Sequence, residues 1–89
     1  MLRLTLKPIG TRRAEIHAEG RLVGEWVALL AAECDRLLGA GQRIDLDLGA
    51  VADVDAGGLV VLRRLRRASV TLSGCTPILL SALAEESLE

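Results

Sequence analysis

The sequence predicts an α/β domain, a mixed β-sheet with helices on at least one face. Three observations predict it. Alternating strand-type runs and helix-type spacings follow one another in the order strand, strand, helix, strand, helix, strand, helix. Glycines and prolines fall where the period changes. At 89 residues the chain has room for one core, so residues 1–89 are read as a single domain.

Leu2, Leu4 and Leu6 alternate with Arg3, Thr5 and Lys7, a half-buried strand ended by Pro8 and Gly10. Arg12 to Ala18 reads as a second strand, with Ala14, Ile16 and Ala18 on one face and Arg13, Glu15 and His17 on the other. The intervening "PIGT" is a hairpin connection. From Gly24 to Leu38 the period becomes helical, through Val27, Leu30, Ala31, Cys34, Leu37 and Leu38, and Gly39 and Gly41 supply the stop. "RIDLDL" returns to alternation as a central strand, and "GAVADVDAGG" reads as a turn-rich approach to the second helix.

On a wheel, that second helix sets Val61, Leu62 and Leu65 on the inward side and Arg63, Arg64, Arg66 and Arg67 outward. Leu59 and Val60 fall on the arginine side, an apolar spot beside a basic stripe. "VTLSG", Val70 to Gly74, is a last short strand. "PILLSALAEE" opens a third helix, with Pro77 at its start and Thr76 as N-cap.

Composition narrows the function. The net charge of −1 gives no field that would hold the chain on nucleic acid or an anionic membrane. Trp26 is the only aromatic residue, so no row of stacking platforms for single-stranded nucleic acid exists. No apolar run approaches the roughly 18 residues of a membrane helix, and the N-terminus lacks the apolar core of a leader. Cys34 and Cys75, without CxxC spacing, read as reduced, buried small hydrophobes, and the protein is expected in the cytoplasm with no membrane insertion.

Catalytic chemistry finds little to work with. Ser69, Ser73 and Ser81 lack a GxSxG setting, and the single histidine, His17, has no second ligand at zinc-like spacing. Asp45, Asp47, Asp53 and Asp55 form an acidic run without an EF-hand pattern. No enzyme activity, metal or cofactor is therefore expected. Trp26 reads as a residue packed at the start of the first helix.

The junction "DVDAGGLVVLRRLRR" carries the functional reading. Asp55 can cap the second helix. Gly57 and Gly58 lower helix propensity, which suits close approach by another backbone or by a partner. The mouth of a helix can also hold an anion, but neither a Walker pattern nor GxGxxG is present.

Together these segments resemble the STAS domain, the family of sulfate transporters and anti-sigma-factor antagonists. The resemblance rests on Gly20-Arg21-Leu22 before the first helix, Leu46-Asp47-Leu48 in the central strand, and Asp55-Ala56-Gly57-Gly58-Leu59 opening the second helix. It implies a STAS-like sheet with helices packed mainly on one face. It also implies a non-enzymatic, partner-binding surface over Asp53, Asp55, Ala56, Gly57, Gly58, Leu59, Val60, Arg63, Arg64 and Arg67. In the bacterial antagonists of this family the hydroxyl residue after the motif Asp is phosphorylated by an anti-sigma kinase. Here that position is Ala56, which cannot be phosphorylated. The implied partner is an anti-sigma factor with a kinase-like ATP-binding fold. The alternatives are an ABC transporter ATPase, for a small subunit regulating lipid transport, and a nucleotide or lipid at the helix mouth.

Overall fold

A computed structural model describes residues 1–84 of the chain. The opening leucines form β1 (Leu2–Ile9), which turns back through Gly10–Arg12 into β2 (Arg13–Leu22). The two strands pair antiparallel, from Leu2 opposite Gly20 to Ile9 opposite Arg13. Pro8 stands within β1, and it does so without cost to a ladder because β1 is an edge strand.

Two parallel crossovers complete the sheet. Helix α1 (Glu25–Gly39) leads to β3 (Arg43–Val54), and α2 (Ala56–Arg67) leads to β4 (Thr71–Ser73). β3 runs parallel to both β2 and β4, giving the order β1-β2-β3-β4. The chain ends its described part in α3 (Pro77–Ala84); the expected continuation of that helix at Glu85 and Glu86 lies outside the described residues.

Side-chain alternation makes one face dry and the other wet. Ala14, Ile16, Ala18 and Leu22 of β2 and Ile44, Leu46 and Leu48 of β3 are buried. Their alternates are polar, and across strands they pair: Arg13 with Asp45, His17 with Asp47 and Arg21 with Asp53. Helix α1 covers the dry face with Val27, Leu30, Cys34 and Leu37, and α2 with Leu62 and Leu65, the three-and-four spacing of an amphipathic helix. Each fully buried leucine contributes roughly 1.5–3 kcal/mol, and side chains without aromatic rings suffice to fill this interior.

Both long strands outrun their sequence signals. β2 was expected to stop at Ala18 but reaches Leu22, and β3 continues through "GAVADV" where a turn-rich segment was expected. The register between them shifts at His17/Glu19 and again at Gly20/Arg21, so the alternation is broken while the pairing continues. Gly20 makes this possible. Its φ is 111°, and a Cβ there would lie 2.3 Å from the Met1 carbonyl oxygen.

Helices α1 and α2 end in the same way. After α1, Gly41 takes φ 79° while its N–H bonds to Leu38 and that of Gln42 to Leu37. After α2, Ser69 takes φ 75° while its N–H bonds to Arg66 and that of Val70 to Leu65. These are Schellman closures, one built on glycine and one on serine.

Candidate functional site

The start of α2 is organised by Asp55. Its backbone is extended, and its Oδ1 accepts a hydrogen bond of 2.7 Å from Gly58 N–H, the N-cap arrangement expected from the sequence. Its Oδ2 accepts a second bond, of 2.8 Å, from Gly24 N–H at the start of α1. One carboxylate thus joins the beginnings of two helices. The Gly24 bond and then the Gly58 bond hold the Asp55 carboxyl below its ordinary range.

The two glycines of the junction differ in role. A Cβ on Gly58 would sit 2.8 Å from Val54 Cγ1 and 2.9 Å from the Leu22 carbonyl oxygen, so α2 can lie on β2 and β3 only with glycine there. A Cβ on Gly57 would meet only Asp55 Oδ1, at an ordinary 3.5 Å. Ala56 and Gly57 are exposed, and Val60, one turn on, is 59% exposed.

Leu59 lies elsewhere. It packs against the core and lines an apolar cleft of about 460 Å³ between the end of β3, the first turn of α2 and α3. Leu48, Val54 and Leu79 share that lining, with Asp53 and Thr76 as its polar members. Thr76 caps α3, accepting from Leu79 N–H at 3.1 Å as expected from the sequence. Ile78 of α3 is 84% exposed and also borders the cleft.

The arginines of α2 are engaged within the fold. Arg63 donates to the Ala82 carbonyl at 2.7 Å and Arg66 to that of Leu83 at 3.3 Å, so both hold the end of α3 against α2. Arg64 grips Asp35 of α1 through both guanidinium nitrogens, at 3.0 and 3.3 Å. Arg67 is exposed at the last turn. Four outward arginines were expected, but Arg63 is half-buried because α3 crosses its side of the helix. Sequence reasoning also missed Gly24, which takes φ 57° at the start of α1; the available signal was a glycine directly before the first helical residue.

The remaining titratable groups serve structure. Asp47 Oδ1 accepts from Gly49 N–H at 2.8 Å and Oδ2 faces His17 Nδ1 at 3.1 Å, and these bonds, the Gly49 one first, lower its pKa. Cys34 is fully buried and its thiol is pushed up to about 11 by desolvation. Cys75 is half-buried rather than buried, and burial raises its pKa as well. Among the described residues no helix is long and apolar enough to cross a membrane.

An edge hairpin, two parallel crossovers and a second helix opening on a capping Asp define a STAS-like fold, that of the anti-sigma-factor antagonists. A similar structure is that of SpoIIAA, an anti-sigma factor antagonist, in its unphosphorylated form. It matches with a TM-score of 0.76 over 93% of this chain and 83% of that one, at 15% identity. A crystal structure of Mglu matches with a TM-score of 0.59 at 18% identity, over 76% of this chain but 18% of that chain. No family model matches the sequence, and no curated protein matches it.

Proposed function

We propose that this chain is a non-enzymatic, cytoplasmic STAS domain that binds a protein partner around the first turns of α2. The partner is an anti-sigma factor with a kinase-like ATP-binding fold, by analogy with SpoIIAA, an anti-sigma factor antagonist. The observation that carries the reading is the exposure of Ala56, Gly57 and Val60 beside an Asp55 whose carboxylate is committed to two backbone N–H groups. Such a surface offers shape and apolar contact, with the helix mouth already filled by the chain's own anion.

In this reading Asp55, Gly57 and Gly58 set the backbone that the partner approaches, and Val60 gives the exposed apolar contact. Leu59 and Asp53 meet the partner from the rim of the cleft. Arg67 orients an acidic partner, while Arg64, paired with Asp35, and Arg63, bound to α3, act by holding the neighbouring helices in place around the surface. With a methyl group at Ala56 this position takes no phosphate, so release of the partner does not run through phosphorylation there.

Affinity purification from the native host, with Val60→Asp as control, tests the reading. Recovery of a kinase-like anti-sigma factor that Val60→Asp loses, at a cost of about 1 kcal/mol or more, is the expected outcome. Recovery of an ABC ATPase instead would place the chain in lipid transport. Incubation with that anti-sigma kinase and ATP should add no phosphate mass to residues 53–59.

A further inference from the structure

We propose that two copies of this chain join through the free edge of β1, antiparallel and two-fold symmetric about Leu4. The inference begins from which way the backbone of β1 points. Arg21 N–H donates to the Met1 carbonyl oxygen at 2.9 Å, and Met1 continues the register in which Leu2 faces Gly20. Met1 and Arg21 are therefore a hydrogen-bonded pair. Hydrogen-bonded pairs recur at every second residue of an antiparallel ladder, so Arg3, Thr5 and Lys7 also spend their backbone groups on β2. The backbone groups of Leu2, Leu4 and Leu6 point away from it, into the open edge of the sheet.

The side chains of those same residues lie on the helix side. Leu2 is buried, Leu4 half-buried and Leu6 is 41% exposed. Leu4 and Leu6 line a cleft of about 300 Å³ with Leu29 of α1, which is itself 47% exposed. Among the described residues the apolar layer under α1 thus runs out to the edge strand and stops there uncovered, beside a row of backbone groups that no other strand pairs.

A second copy fits this edge in one register. Centred on Leu4, the two strands set Leu2 opposite Leu6 and Leu4 opposite itself, so each outward backbone group meets an outward group and leucine meets leucine. On the wet face Arg3 then stands opposite Thr5. Centred on Thr5, Arg3 would oppose Lys7; centred on Arg3, it would oppose its own copy; like charges directly opposite are destabilising. Centred on Leu6, Pro8 would face Leu4 without an N–H to give. Hydrogen bonding and the separation of Arg3 from its own copy and from Lys7 select the same axis; Lys7 stands opposite Met1 at the end of the joint ladder, and Pro8 falls beyond it. The product is a sheet continuous across both copies, with the α2 surfaces left clear on each.

Sedimentation velocity of the full chain over a concentration series tests the proposal. The wild type should reach twice the monomer mass. Leu6→Lys, at a partly exposed position, should raise the dimer Kd by roughly tenfold or more with an unchanged circular dichroism spectrum. In a Cys75→Ser background, Leu4→Cys should oxidise to a disulfide-linked dimer, because residues facing each other across the axis have Cα atoms about 5.5 Å apart. Thr5→Cys should not. A wild type that stays monomeric throughout, a dimer indifferent to Leu6→Lys, or crosslinking at Thr5→Cys in preference to Leu4→Cys would each overturn it.

Discussion

Asp55 Oδ2 lies 2.8 Å from the backbone nitrogen of Gly24, a residue thirty-one positions earlier in the chain. The contact joins the start of α1 to the start of α2, where each helix has N–H groups that its own backbone cannot satisfy. It therefore makes one acidic side chain responsible for two helix ends.

Asp55→Asn should separate those duties. The amide oxygen can still cap Gly58, but the amide nitrogen would then present a donor to the Gly24 donor. The variant should unfold at lower denaturant concentration than wild type at neutral pH. Because the folded-state pKa of Asp55 is depressed, its contribution is present above the unfolded value of about 3.9 and is lost as pH falls through the lower folded value. Asp47 adds to the same acid window. Urea titrations between neutral and acid pH should show a shallower loss of stability in Asp55→Asn than in wild type; equal slopes would mean that the two bonds do not discriminate the charged form.

Gly57→Ala and Gly58→Ala should act in opposite directions. At Gly58 the added methyl meets Val54 and the Leu22 carbonyl below 3.0 Å, and the variant should lose roughly 1–3 kcal/mol. At Gly57 it meets nothing closer than 3.5 Å, and reduced backbone freedom in the unfolded chain should stabilise by about 0.5 kcal/mol. Thermal unfolding of the pair checks this, with similar destabilisation of both counting against the packing described.

Ser69→Gly should stabilise the protein by about 1 kcal/mol. Ser69 has φ 75° at the end of α2, a conformation that costs an L-residue energy and costs glycine little. Gly41, with φ 79° in the equivalent place after α1, shows the relaxed form of the same closure, and Gly41→Ser should destabilise correspondingly. Both are read from chemical denaturation midpoints.

Thiol reactivity should divide the two cysteines. Cys34 is 0% exposed with its thiol pushed up to about 11, whereas Cys75 is half-buried. Only the thiolate reacts, so alkylation near neutral pH should modify Cys75 first and reach Cys34 only on unfolding. Peptide mapping after a brief exposure distinguishes them.

Much of the architecture is legible in the sequence because burial is one-sided. Ile44, Leu46 and Leu48 against Asp45 and Asp47 identify β3, and Leu62 and Leu65 identify the inner side of α2. The far ends of β2 and β3 are not legible in this way. There a shifted register breaks the alternation, and "GAVADV" carries small residues and an aspartate that would equally suit a turn. At the site, Asp55 and Gly58 are readable from capping and helix propensity. The fates of Arg63 and Leu59 are not, because both depend on where α3 lies, and a wheel drawn for one helix contains no information about another that crosses it.

Trp26 stands two residues beyond Gly24, half-buried at the first turn of α1, in a chain with no tyrosine or phenylalanine. The protein consequently carries a single intrinsic fluorophore, placed beside the joint that Asp55 closes. Light absorbed at the red edge of the protein spectrum is emitted from one defined place, free of energy transfer from other rings. Loosening of the two helix beginnings, by acid, by substitution or by a docking molecule, can be followed optically in the natural sequence without attaching a label.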